Sequence, residues 1–189
     1  MTERIDSGQY EELIGNCRKG DPKAQFEVYR LYYKAMYNAA LRIVAQPAEA
    51  EDIMQEAFLS AFRKIETYKG DVSFGAWLKK IVINKSIDAL RQRKLRFEEI
   101  TGQEPDEKPE PVFDFEEDDK IWEERLVAQI KDAIRELPQG YQVVLTLALI
   151  EGYDHEEIAQ ILSISESTSR SQLVRARKKL IAIINNKRK

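Results

Sequence analysis

No single hydrophobic core can run through residues Glu98–Lys120. The stretch reads EEITGQEPDEKPEPVFDFEEDDK, with eleven carboxylates against Lys108 and Lys120, and it holds Pro105, Pro109 and Pro111. Like charges at this density repel one another, and proline removes backbone donors, so the stretch reads as a linker and not as a packed element. It divides the chain into segments of opposite charge balance. Residues 1–97 carry 17 Lys/Arg and 13 Asp/Glu, residues 121–189 carry 11 and 9, and the linker alone is −9. Two mildly basic halves, of a size each able to hold a modest core, predict two small helical domains joined by an acidic tether. The domain boundaries expected are 1–97, 98–120 and 121–189.

The rest of the composition narrows the class. Cys17 is the one cysteine of the chain, so no intramolecular disulfide is possible; it reads as a small packed residue of the first helix in a protein of the reducing cytoplasm. The N-terminal MTERIDSGQYEE is polar and acidic, unlike a secretory signal. The apolar run Val143–Ile150 is too short for a membrane span, so no membrane insertion is expected. His155 is the one histidine, and no metal-ligand spacing, cofactor motif, glycine-rich phosphate loop or nucleophile–base pair stands out. A non-enzymatic protein without metal or cofactor is the expectation.

In the first half, helical periodicity begins at Tyr10–Lys19, which Gly20 ends. Asp21-Pro22 then supplies a cap and a first-turn proline. Phe26, Tyr29, Tyr33, Tyr37, Ala40 and Val44 recur every three or four residues and read as a core stripe. After Pro47, a helix over about 48–68 turns Ile53, Ala57, Ala61 and Ile65 inward, flanked by Phe58 and Phe62. Asp52, Gln55, Glu56, Leu59 and Arg63 lie off that face. The loop Tyr68–Ser73 precedes a long helix over about 74–97, on which Trp77, Lys80, Asn84, Asp88 and Arg91 share one side. Aromatic groups for stacking beside cations for phosphate are what single-stranded nucleic acid requires.

In the second half, Trp122, Leu126, Ile130, Ala133 and Leu137 form one helical stripe, ended by Pro138; Tyr141–Glu151 resumes, and Gly152 caps it. Asp154 and Glu157 have the spacing of a capping box. The short turn Ser163-Ile164-Ser165, with Ala159 at the expected crossing, gives a helix-turn-helix whose second helix runs over about 165–184. From Arg170 to Lys189 there are eight basic residues and no acidic one. In a major groove this helix would present Glu166, Ser167, Ser169 and Arg170 to base edges, and Arg175, Arg177, Lys178 and Lys179 mainly to phosphates, with Ser165 at the start of the same DNA-binding surface.

Three motifs in this order then resemble one family. They are AEDIMQEAFLSAFRKIETYKG (50–70), F-x-x-WL-x-x-I-x-x-N-x-x-x-D-x-L-R (74–91) and ELP…EGYDHEEIAQILSIS…S-x-L-x-RARKKL (136–180). The chain resembles bacterial RNA polymerase sigma factors of the extracytoplasmic-function class, within the sigma-70 family. The resemblance implies core RNA polymerase and promoter DNA as partners, the DNA both duplex and as a melted non-template strand, with an anti-sigma factor as regulator. It implies polymerase docking through Asp52, Gln55, Glu56, Phe58, Leu59 and Arg63. It places the −10 element on Lys69, Asp71, Ser73, Phe74, Trp77, Lys80, Asn84 and Arg91, and the −35 element on the 154–184 unit. Where the family often opens its recognition helix with Gly-Thr-Val-Lys-Ser-Arg, this chain has Ser167-Thr168-Ser169-Arg170-Ser171-Gln172, and because Ser and Gln can read several base edges the resemblance does not carry the family's base preference over. The tether would span roughly 75–80 Å when drawn out and about 25–29 Å as a coil. Its carboxylates at Glu116, Glu117, Asp118 and Asp119 could also shield the basic faces of the free protein. A stand-alone helix-turn-helix regulator accounts for the second half alone. A nuclease needs paired carboxylates, and the clustered ones sit in the tether.

Overall fold

The computed structural model describes residues 7–93 and 129–187, all-helical apart from turns and short loops. The chain divides into two compact units, Met1–Leu95 and Arg96–Lys189. The tether, the Trp122 and Leu126 positions and the residues that would extend the fourth helix to Phe97 lie outside the described residues.

Among the described residues, the first unit is a bundle of four helices: α1 (Ser7–Arg18), α2 (Pro22–Val44), α3 (Pro47–Arg63) and α4 (Phe74–Gln92). Capping residues set its corners. The Asp21 side chain accepts from the Lys23 amide at 3.0 Å, with Pro22 opening α2, and Ser73 accepts from the Ala76 amide at 3.2 Å to open α4. The α2–α3 break falls at residues 45–46, and Pro47 is itself the first residue of α3, where its missing N–H has no role to lose. The helix read over 48–68 stops at Arg63. A 3₁₀ turn, Ile65–Thr67, replaces its last stretch, and the Thr67 hydroxyl donates back to the Lys64 carbonyl at 2.7 Å.

Helices α2, α3 and α4 pack on one another. Val28, Met36, Ala39 and Ile43 of α2 meet Ile53, Ala57 and Ala61 of α3 and Leu78, Val82, Ile83 and Leu90 of α4 in the core. The alanines let the helix axes approach closely. Of the α2 stripe read from the sequence, Ala40 and Val44 lie in the core, and its N-terminal members are rotated away from it. Phe26 is 67% exposed, and Tyr29, Tyr33 and Tyr37 are half-buried along the edge. Each residue turns the helix by about 100°, so Val28 faces the core where Tyr29 only borders it. Cys17 is buried, and that burial, helped by Asp21, pushes its thiol up to about 11, so it stays a packed, protonated side chain.

The second unit begins, among the described residues, with α5 (129–135), followed by α6 (Gln139–Leu145), α7 (His155–Leu162) and α8 (Glu166–Lys187). A five-residue π turn, Thr146–Ile150, prolongs α6 and is closed by the Glu151 amide on the Thr146 carbonyl at 3.0 Å. Leu137, Tyr141, Leu145 and Ala176 form the centre, with Ile134, Leu180 and Ile183 packed around them. Gln142 is buried and donates to the Ile134 carbonyl at 2.8 Å, satisfying an acceptor near the end of α5. The capping box at α7 forms in both directions: the Glu157 amide donates to Asp154 Oδ1 at 2.8 Å and the Asp154 amide to Glu157 Oε2 at 3.1 Å. Among the described residues no helix is long and apolar enough to cross a membrane.

Candidate polymerase and nucleic-acid interfaces

On α3, Asp52, Gln55, Glu56, Leu59 and Arg63 are all exposed, at spacings that hold them on one side of the helix. Leu59 is 60% exposed at the middle of this otherwise polar face. Arg63 donates from Nε to the Leu59 carbonyl at 3.2 Å, and Lys85 of α4 bonds Glu56 at 3.1 Å. An apolar centre ringed by polar groups is the composition of a protein-binding patch. Phe58 does not belong to it. Its ring is buried against Tyr29, with centroids 4.9 Å apart, because α3 is covered by both α2 and α4 and its buried stripe is correspondingly broad.

The Lys69–Ser73 loop and α4 form a second surface of the same unit. Lys69, Asp71 and Ser73 are exposed, as are Lys80, Asn84, Asp88 and Arg91 along α4; Arg91 pairs with Asp88 at 3.3 Å. Trp77 is half-buried, its ring 5.4 Å from Tyr68 and 5.3 Å from Phe74, which leaves part of the indole on the surface in a fixed orientation. Phe74 is fully buried, ringed by Tyr32, Tyr68 and Trp77, so it supports the surface from below and is removed from the residues able to touch a base.

In the second unit, α7 and α8 are joined through Ser163, which adopts the left-handed conformation with φ 56°. Ser165 caps α8 by accepting from the Thr168 amide at 3.1 Å. Ser169 faces inward: it is fully buried and its hydroxyl shares a 2.9 Å hydrogen bond with His155 Nδ1 on the first turn of α7. That contact ties the two helices together, removes Ser169 from base reading and gives the lone histidine a packing role. The outward face of α8 carries Ser167, Arg170, Ser171, Val174, Arg175, Arg177 and Lys178. Glu166 forms an ion pair with Arg170 along this face. Val174 is 54% exposed, an apolar side chain in the middle of a polar, basic surface.

The model of Sigma-70 region 2 matches residues 28–96, and that of Sigma-70 region 4 matches residues 128–180. The chain belongs to the sigma-70 family. Its relatives place it in the extracytoplasmic-function class. It is similar to the RNA polymerase sigma-H factor of Pseudomonas aeruginosa, at 29% identity over 89% of this chain and 90% of that one. It is 29% identical to the sigma factor SigW of Bacillus subtilis over 90% and 94% of the two chains. Two solved structures share the fold: CnrH in complex with the cytosolic domain of CnrY, at 22% identity with a TM-score of 0.54 over 92% of this chain and 96% of that one, and the sigma factor RpoE of Bartonella quintana with the anti-sigma factor NepR, at 20% identity and 0.54 over 84% and 95%. The chain is thus a sigma factor that directs core RNA polymerase to promoters, and the stand-alone regulator reading is set aside. Sigma factors in general are initiation factors and not enzymes.

In sigma-factor terms, α3, the loop and α4 lie within region 2, and the helix-turn-helix within region 4. Five of the six expected docking residues share the exposed α3 face, and Phe58 does not. Seven of the eight expected −10 residues reach the surface, and Phe74 does not. Of the region 4 residues, Ser169 is internal and Ser165 is engaged in the cap. The sequence reading missed Ser171 and Val174. The signal was available: both follow Ser167 and Arg170 at helical spacing on the side opposite Leu173, Ala176 and Leu180.

Proposed function

We propose a division of labour within this sigma factor, with residues 1–97 engaging the polymerase and the −10 element, 98–120 acting as tether and 121–189 engaging the −35 element. Asp52, Gln55, Glu56, Leu59 and Arg63 dock on core polymerase. The loop residues Lys69, Asp71 and Ser73, with Trp77, Lys80, Asn84 and Arg91, hold the melted non-template strand. A stack of one base on the exposed part of Trp77 contributes about 1–3 kcal/mol, comparable with the loss of one base-pair step, so opening needs no nucleotide hydrolysis. On the −35 duplex, Ser167, Arg170, Ser171 and Val174 face base edges, with Val174 suited to a thymine methyl and Arg170 to guanine. Arg175, Arg177 and Lys178 hold phosphates. The protein catalyses no reaction of its own and works in the cytoplasm. An anti-sigma factor that covers these surfaces, as the RpoE–NepR complex suggests by analogy, is its expected regulator.

The observation that carries this assignment is Trp77. Its ring is braced by Tyr68 and Phe74 yet partly exposed, directly beside the exposed Lys80 and Asn84 of the same helix. A duplex-only regulator has no use for that surface. The test mixes the purified protein with sigma-free core polymerase and a promoter library and sequences the transcripts, using Trp77→Ala alongside the wild type. Promoter-specific initiation that Trp77→Ala loses on duplex templates and regains on a template already mismatched over the −10 element supports the assignment. Equal activity of the two proteins on duplex templates refutes it.

A further inference from the structure

The loop proposed to hold the melted strand is fastened from outside the surface it serves. Arg18, the last residue of α1, donates from Nη2 to the Tyr68 carbonyl at 2.7 Å across fifty residues of sequence. Tyr68 in turn reaches over the loop: its hydroxyl donates to the Val72 carbonyl at 2.8 Å, and its ring stands edge-on against Phe74 with centroids 5.3 Å apart. The far end of the loop is fixed by the Ser73 cap on α4. Between the anchors, Lys69, Gly70, Asp71 and Val72 are exposed, Val72 by 54%. Gly70 has φ 85°, a region glycine enters at little cost, so the loop is not held to one shape at that position by its own residue type. Beside the Ser73 cap, the restriction comes from Tyr68, and the position of Tyr68 comes in part from Arg18 through a charge-assisted bond.

We infer that Arg18 is a positioning residue for strand capture: by fixing the Tyr68 carbonyl it sets the shape in which the 69–72 loop meets an unpaired base. This gives α1, which contributes no residue to the polymerase or base surfaces described above, a role in promoter selectivity. A loop held in its bound shape loses less freedom on binding and discriminates better, since a wrong base finds no compensating rearrangement. The inference rests on the strand-capture reading of the loop.

The experiment uses holoenzyme assembled from core polymerase and the full chain. The probe is single-stranded DNA carrying the −10 sequence recovered from transcript mapping, together with versions bearing each of the other three bases at every position. Loss of one such bond in Arg18→Ala should weaken the preferred strand by about tenfold. Most of the loss should appear as reduced discrimination at one or two positions, with the remaining positions and the binding of −35 duplex unchanged. Arg18→Lys, which keeps a cationic donor, should recover part of the discrimination. Tyr68→Phe, which keeps the ring and removes the bond to Val72, should relax the same positions, and the double variant with Arg18→Ala should lose less than the product of the two. A purely structural bond predicts a different result: a lowered melting temperature with the base preferences of the folded protein intact, and that outcome overturns the inference. If wild-type holoenzyme does not bind the single strand in preference to a scrambled one, the strand-capture reading falls and takes the inference with it. If wild type binds selectively and Arg18→Ala is equally selective, the inference alone falls.

Discussion

Adjacent residues on α3 allow folding and docking to be separated by single substitutions. Phe58 is buried between α2 and α3, its ring 4.9 Å from Tyr29 and 6.1 Å from Phe62, while Leu59 is 60% exposed. Truncating Phe58 to alanine removes a core aromatic and should cost about 3–5 kcal/mol of stability, a large part of what a domain of this size possesses. Truncating Leu59 should change stability by less than about 0.5 kcal/mol, because its side chain already faces water. Docking reverses the order. Full burial of a leucine contributes about 1.5–3 kcal/mol, and Leu59 still has 60% of its surface left to bury, so its docking contribution is about 1–2 kcal/mol. Leu59→Ala should therefore weaken the affinity for core polymerase about 5- to 30-fold. The assay is displacement of a fluorescent sigma factor from core polymerase, run beside thermal melts of each variant. The reasoning fails if Leu59→Ala binds core as wild type does, or if it lowers the melting temperature by more than about 4 °C, the least that a loss of 1 kcal/mol produces in a small domain. It also fails if Phe58→Ala melts normally.

Three further outcomes are expected. Arg175→Ala should weaken binding to −35 duplex about equally for all sequences and reduce the slope of log K against log salt by about one; a changed sequence preference in a selection experiment would show instead that Arg175 reads bases. Ser169→Ala removes the partner of His155 Nδ1 and should destabilise the second unit by about 1 kcal/mol in urea titration while leaving the −35 preference intact. The Tyr153 hydroxyl is pushed up to about 12, first by burial and then by Glu151 and Glu157, against 10.0 in the unfolded chain. Because the unfolded chain releases this proton first, the associated stability is present below about pH 10 and is lost as pH rises towards 12, and Tyr153→Phe should flatten the alkaline limb of a melting-temperature profile.

What could be read from the sequence divides along the range of the interactions responsible. Asp21-Pro22, Asp154 with Glu157, and the Ser163–Ser165 turn involve neighbours in the chain, and the structure forms each of them. The Trp77–Arg91 face was legible for the same reason, since helical spacing alone puts its members on one side. Phe74, Phe58 and Ser169 were misplaced because their surroundings arrive from afar. Phe74 is enclosed by Tyr32 from α2 as well as by Tyr68 and Trp77, Phe58 by Tyr29, and Ser169 by a histidine fourteen residues earlier. A spacing rule records which residues share a side of a helix. It cannot record how many sides are covered, and α3, with neighbours on two, buries Met54 and Phe58 as well as Ile53 and Ala57. The same limit hid Val174, whose apolar side chain counts towards a core in any periodicity and acquires meaning only once the opposite side of α8 is seen to be the packed one. The two kinds of error therefore share a cause: aromatics assigned to the surface were claimed by distant partners, and an aliphatic assigned to no site was left without one. For a protein whose work is done on helix faces, the coverage of each face, more than its pattern, decides which residues are free to bind.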